Sequence, residues 1–224
     1  MNRITDNKKI YAIIICYNSS PAIEQLYKKI DKNLFDKIYF FDDHSTDNSY
    51  ELAKKFDWHV IKNDQNLGHG GNLKKAIETA FLDGADYAVE IHADNQYDPN
   101  SLVAAKFFFE NDYALITGSR FVNKNPFLKD GMPFLRFISN KIMSKLTSKL
   151  LSIDLSEFHT GFRIYRKSVL DVYTNNYSHD HICSFQIIAG VIEKGMKVDE
   201  VEVECDYRGE HTSHSYMGAS LYAI

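Results

Sequence analysis

Apolar residues fall into two alternating arrangements over the first half of the chain. Short runs rich in Ile, Val, Phe and Tyr occupy 10–18 (IYAIIICYN), 36–43 (DKIYFFDD), 58–63 (WHVIKN), 86–94 (DYAVEIHAD) and 113–121 (YALITGSRF). Runs of that length and β-branched content predict strands buried on both faces. Between them the apolar positions open out to helical spacing. In 20–34 they are Ile23, Leu26, Tyr27 and Ile30, with Pro21 in the first turn and Ser19 or Ser20 as cap. Segments 46–57, 67–84 and 99–112 are predicted helices as well. The alternation predicts an α/β fold, a mostly parallel sheet flanked by helices.

In such sheets ligands bind beyond the carboxyl ends of the strands. The polar residues gather there: Tyr17 and Asn18, Asp42 and Asp43, His92 and Asp94, and Gly118 to Arg120. One wet loop would explain one such end. Four ends rich in Asp, Asn and Arg point to a composite site.

The pattern changes at 123–152. A Gly/Pro-bearing loop leads into a helix with Phe134, Ile138, Ile142, Leu146 and Leu150 at near-helical spacing. Its polar face carries Arg136, Lys141, Lys145 and Lys149. The pattern favours a core-packed helix with a solvated basic face; the alternative is an amphipathic helix lying on an anionic membrane surface.

Composition narrows the function classes. The chain has 224 residues, 44% hydrophobic and 25% charged, with a formal net charge of −4 and a pI near 6.1. That is an ordinary globular composition, and the acidic balance argues against a general nucleic-acid binder. Cys16, Cys183 and Cys205 form no CxxC pair, so a reducing compartment is the simpler setting. No apolar stretch is long enough for a bilayer span or a signal-peptide core. The chain stops at GASLYAI, which leaves room for a longer natural protein.

Several motifs carry chemistry. In FFDDHSTDNS, Asp42 or Asp43 is placed to accept a hydrogen bond from a nucleotide base, and Thr46 or Asp47 to cap a helix. NLGHGGNLKKA reads as a phosphate-binding turn or as a plain helix-entry turn. HADNQYDP, if extended, puts His92, Asp94 and Gln96 on one side, where imidazole, carboxylate and amide oxygen can ligate a divalent cation. Arg120, Arg163 and Arg166 offer guanidinium groups suited to phosphate, or to ion pairs.

The order of these motifs resembles that of the inverting family 2 glycosyltransferases of the GT-A fold. Within that family the chain is most similar to dolichyl- or polyprenyl-phosphate sugar transferases. The resemblance rests on IIICYN, DDHSTDNS, NLGHGGNLKKA, HADNQYDP, GSRF, RFISNKI, HTGFRIYRKSV and YRGEHTSHS, in that order. It implies one GT-A domain, with 1–122 as the nucleotide-binding half and 123–224 as the acceptor-binding half. It implies a nucleotide site at Tyr17, Asn18, Asp42, Asp43, Gly68, Ala93 and Lys74 or Asn72. It implies Mg²⁺ or Mn²⁺ at His92, Asp94 and Gln96, and catalytic roles for Asp94 and Arg120. Arg136, Ser139, Arg163, Arg208 and Ser213 would meet acceptor or phosphate, with His211 in a C-terminal lid.

The implied reaction moves a sugar from a UDP- or GDP-sugar to a polyprenyl phosphate, at the cytoplasmic face of a membrane. A glycan hydroxyl is the alternative acceptor, and a non-catalytic nucleotide-sugar binder the other alternative. Two departures stand out. His92 replaces the first aspartate of the family's DxD segment. HDHICSFQII carries no carboxylate near Ser184 and Gln186, which fits a phosphate acceptor that needs no base. Asp180 or Glu157 would be the base for a hydroxyl acceptor.

Overall fold

The computed structural model describes residues 5, 7–122, 125–172, 176–205 and 207. Arg208, His211 and Ser213 lie outside the described residues. Seven strands form one sheet: β1 (Ile10–Cys16), β2 (Lys37–Asp42), β3 (His59–Lys62), β4 (Tyr87–His92), β5 (Leu115–Ser119), β6 (Arg163–Arg166) and β7 (Val198–Glu202). Their order is β3-β2-β1-β4-β6-β5-β7. β1 pairs in parallel with β2 and β4, β2 with β3, and β5 with β7. β6 runs antiparallel between β4 and β5. The five strands expected from the apolar runs are all present; β6 and β7 come from the C-terminal segment.

Every residue of β1 is buried, so its side chains feed two cores. Ile10, Ala12, Ile14 and Cys16 face one side, with Phe40, Val89 and Ile91 and with Ile23 and Leu26 of α1 (Ser20–Lys29). Tyr11, Ile13 and Ile15 face the other, against α3 (Gly68–Leu82) and α7 (Ile182–Glu193). This is the period-2 consequence of a strand covered on both faces. Each fully buried Ile contributes roughly 1.5–3 kcal/mol.

Three turns shape the carboxyl edge of the sheet. Asn18, His44 and Asn95, just after β1, β2 and β4, have φ of 50°, 60° and 58°. These left-handed residues turn the chain sharply where strands end. They also shorten the expected helices. Segment 46–57 yields only α2 (Ser49–Ala53), because Asn18 Oδ1 accepts from the Thr46 and Asp47 N–H groups and Asp47 accepts from Ser49 and Ser20. Local side-chain bonds of this kind compete with helix. Segment 99–112 becomes a 3₁₀ turn (Pro99–Ala105) followed by α4 (Lys106–Phe109).

After a short α5 (Pro126–Lys129) comes α6 (Phe134–Leu151), which corrects the core-packed expectation. Only Ser144 of its 18 residues is buried, while Leu135 is 74% and Leu150 83% exposed. The sheet is already covered by α3 and α7 on one face and α1 on the other, so α6 finds no open apolar face to fill. Among the described residues no helix is long and apolar enough to cross a membrane.

Two expectations follow. A Cβ on Gly70 would lie 2.5 Å from Ser178 O and 2.6 Å from Cys183 Cβ, where α3 meets the start of α7. Gly70→Ala should therefore lower the unfolding free energy by about 1–3 kcal/mol, measured by denaturant titration; an unchanged midpoint would contradict this packing. His159, stacked edge-on to Phe185 with a buried Nε2 that has no hydrogen-bond partner, is pushed down to about 4. Burial is the main cause; Glu157 opposes it and Arg120 and Arg163 add to it. The unfolded chain takes up this proton near pH 6.5 and the folded chain only near 4. Stability is thus full above pH 6.5 and falls toward pH 4, by about 1.4 kcal/mol per pH unit at most. Replacing His159 with Leu should flatten that slope between pH 6.5 and 5.

Candidate active site

The carboxyl ends of β1, β2 and β4 open onto a cavity of about 270 Å³. β1 brings Cys16 and then Tyr17, whose ring is 51% exposed. Asp43 comes from the end of β2, and Ala93 and Asp94 from the turn after β4. The first turns of α3 add Gly68, His69 and Asn72, and His181, just before α7, closes the wall. Seven of the expected nucleotide or metal residues thus meet in one place: Tyr17, Asp43, Gly68, Asn72, His92, Ala93 and Asp94.

A buried amide network sets Asp43. Its Oδ1 accepts from Asn63 Nδ2 at 2.9 Å and from the Leu67 N–H at 2.8 Å. Asn72 accepts from the same Asn63 amide and donates to Phe41 O. The carboxylate is held before any ligand arrives.

Other expected residues lie elsewhere, for physical reasons. Asp42 alternates away from Asp43 along β2; it is fully buried and accepts from the Ser45 N–H. Asn18 spends its side-chain oxygen on the Thr46–Asp47 turn. Lys74 is buried and donates to Tyr177 O at 2.7 Å, so that of the pair Lys74 and Asn72 it is Asn72 that reaches the cavity. The glycine-rich turn is a helix entry and not a phosphate cradle. The Gly68 N–H is taken by Asn66 Oδ1, and those of Gly70 and Gly71 by His179 O.

HADNQYDP does not stay extended. β4 ends at His92, Asn95 turns left-handed, and Asp94 Oδ1 accepts from the Gln96 N–H at 3.0 Å. His92, Asp94 and Gln96 therefore do not form one row, and Gln96 does not line the cavity. His92 instead turns inward, its Nε2 donating to Glu90 Oε1 at 3.0 Å. Its ring lies against Gly161, where an added Cβ would fall 2.4 Å from His92 Cε1. The glycine of HTGFR thus makes room for an imidazole.

The arginines are committed as well. Arg120 is 3% exposed and gripped by Glu157, Nε to Oε1 at 2.8 Å, with Nη2 on the same oxygen and Nη1 on the Tyr207 hydroxyl. It does not line the cavity, so it positions the loop after β5 and touches nothing there directly. The same grip removes Glu157 from consideration as a base. Asp180 likewise accepts from Ser178 and from the Ile182 N–H, capping the approach to α7. Arg163 lies opposite Glu90 in the β4–β6 register and bonds it at 3.3 Å. Arg136 stands over the Tyr207 ring at 5.5 Å, and Ser139 is exposed on α6.

The electrostatics follow from these pairings. Burial alone would raise the Glu90 carboxyl, but Arg163 and His92 outweigh it and hold it down to about 2. Burial would lower His92, but the Glu90 hydrogen bond raises it. His69 is pushed well below its ordinary value by burial, with His92 adding to the effect. Among the described residues, the cavity lining contains two carboxylates, Asp43 and Asp94, and neither lysine nor arginine.

Sequence reasoning missed His69, Glu90 and His181. Glu90 carries a signal in hindsight: a carboxylate inside an otherwise apolar strand must have a partner.

Residues 11–174 match the family described as glycosyl transferase family 2. The chain is 28% identical over 221 residues to a UDP-N-acetylglucosamine–dolichyl-phosphate N-acetylglucosaminyltransferase of Methanococcus voltae, covering 90% of this chain and 87% of that one. It is 27% identical to a dolichol-phosphate mannosyltransferase of Pyrococcus furiosus, over 87% of this chain and 55% of that one. Its fold matches glucosyl-3-phosphoglycerate synthase from Mycobacterium tuberculosis, solved with Mn²⁺, UDP and glucosyl-3-phosphoglycerate, at a TM-score of 0.70 and 12% identity, covering 98% of this chain and 77% of that one. The parallel sheet, the cavity beyond its strand ends and these likenesses agree: the chain belongs to glycosyl transferase family 2 and is a glycosyltransferase of the GT-A fold.

Proposed function

We propose that this glycosyltransferase moves a sugar from a UDP- or GDP-sugar to a polyprenyl or dolichyl phosphate, with inversion at the anomeric carbon. The observation that carries the reading is the cavity itself: two carboxylates at strand ends, and no lysine or arginine among its described lining residues. A diphosphate entering such a site needs a divalent cation. Hard cations of this kind bind through one or two carboxylates and complete their shell with substrate phosphates. Asp94 is the residue that fits this part, with His92 committed to Glu90.

In this reading Tyr17 stacks on the base and Asp43, pre-set by Asn63 and Leu67, accepts from base or ribose. Gly68 and Ala93 border the nucleotide. A bound Mg²⁺ or Mn²⁺ supplies neutralisation of charge on the departing diphosphate. Asp94 anchors that end of the donor, so that the acceptor oxygen approaches opposite the leaving group. A lipid phosphate is already ionised and needs no base. The burial of Glu157 under Arg120 and the absence of a carboxylate at Ser184 and Gln186 support that acceptor. Residues 1–122 serve the nucleotide and 123–224 the acceptor. The exposed apolar residues and lysines of α6 suit a lipid-borne acceptor at the cytoplasmic face of a membrane.

The test is an assay of purified protein with Mn²⁺ or Mg²⁺, UDP-GlcNAc, UDP-glucose or GDP-mannose, and a polyprenyl phosphate. Nucleoside diphosphate release that depends on the lipid phosphate is expected, lost on chelation. Asp94→Ala should lower it by about 10²-fold or more. Release that depends on a soluble glycan instead would reassign the acceptor. No release with any donor, or full activity in Asp94→Ala, would overturn the reading.

A further inference from the structure

His69, Glu90 and His92 converge beneath the cavity from two elements, the first turn of α3 and the end of β4. One ligand atom from each lies within 4.8 Å of the others. Both imidazoles direct Nε2 at the same carboxylate oxygen: His92 at 3.0 Å and His69 at 3.8 Å from Glu90 Oε1. The other oxygen is already occupied. Tyr165 donates to Oε2 at 2.6 Å and Arg163 approaches it at 3.3 Å.

We infer that His69, Glu90 and His92 form a three-ligand site for a borderline transition-metal dication of the zinc class, separate from the Asp94 carboxylate.

The donor set selects the ion. Two imidazoles and one carboxylate oxygen suit Zn²⁺ or Co²⁺, whereas Mg²⁺ and Mn²⁺ favour oxygen ligands. Three protein ligands leave a fourth position open. Here His69 and His92 also line the cavity, so that position faces a space able to admit water or a ligand oxygen. The outer contacts are those a metal-binding carboxylate requires. Tyr165 and Arg163 hold the distal oxygen and fix the orientation of the near one. Glu90 is fully buried, which keeps bulk water from competing for it. The ion would take the place of the Nε2 proton that His92 donates to Glu90, releasing it to solvent, and would tie α3 to β4 at the cavity floor. This inference goes beyond the sugar-transfer reading and does not depend on it.

The experiment uses the full chain free of nucleotide, stripped of metal and titrated with Zn²⁺ against a chromophoric chelator, and in parallel with Co²⁺ followed by visible absorption. One equivalent of Zn²⁺ is expected, with the strong absorption of a four-coordinate Co²⁺ site. His69→Gln and His92→Gln should each weaken Zn²⁺ binding by about tenfold or more, while Asp94→Ala binds as the native chain does. His69 sits at the cavity wall, and circular dichroism and thermal melting check that its variant is folded. Failure of the native chain to take up Zn²⁺, equal binding by folded His69→Gln and His92→Gln, or loss in Asp94→Ala alone would overturn the site. The sugar-transfer reading is tested by donor turnover and stands or falls separately.

Discussion

A charge in the middle of the sheet governs much of the rest. Glu90 lies on β4, fully buried, among strands whose other residues are mostly apolar. A lone carboxylate there would cost several kcal/mol in lost hydration. It is tolerated because β6 arrives in antiparallel register and sets Arg163 directly opposite. Tyr165, two residues on, adds its hydroxyl to the same oxygen. The pairing thus ties β6, from late in the chain, into the parallel sheet built by its first half. It also fixes the face on which His92 lies, and so the floor of the cavity.

A second buried pair does the same one strand further out. Glu157 holds Arg120 through its backbone N–H and its guanidinium, joining the end of β5 to the segment before β6. Both pairs take a cation of the kind that binds phosphate and assign it to architecture. What is left at the strand ends is a cavity lined by carboxylates, amides and imidazoles. The chemistry proposed for the site follows from that allocation as much as from the residues on its rim.

Most of the first half was legible in the sequence. Runs such as 10–18 and 86–94 are strands because β-branched residues buried on both faces leave a continuous apolar signature. The polar residues at strand ends marked the right edge of the sheet. What the sequence did not disclose depends on distance and direction. Arg163 lies 73 residues from Glu90, so nothing local showed that it was spoken for. Asp42 and Asp43 look equivalent as letters and both are buried, yet alternation turns Asp43 to the cavity and Asp42 away from it. His92, Asp94 and Gln96 read as one row, but the turn at Asn95 breaks it, and His92 shares its strand face with Glu90 instead. On α6, spacing located the helix correctly, but periodicity cannot tell a stripe that packs on a core from one with no core to meet.

The glycine-rich start of α3 has a further implication. Gly68 and Gly71 are pressed against His179, and His181 completes the cavity wall. The walls therefore draw on residues from Ile15 to His181. A chain emerging from the ribosome has Tyr17 and Asp43 long before it has the segment that backs α3. Contacts so far apart in sequence close late in folding. Competence to hold a ligand consequently arrives with the start of α7, and a partly made chain has most of its sheet but no finished pocket.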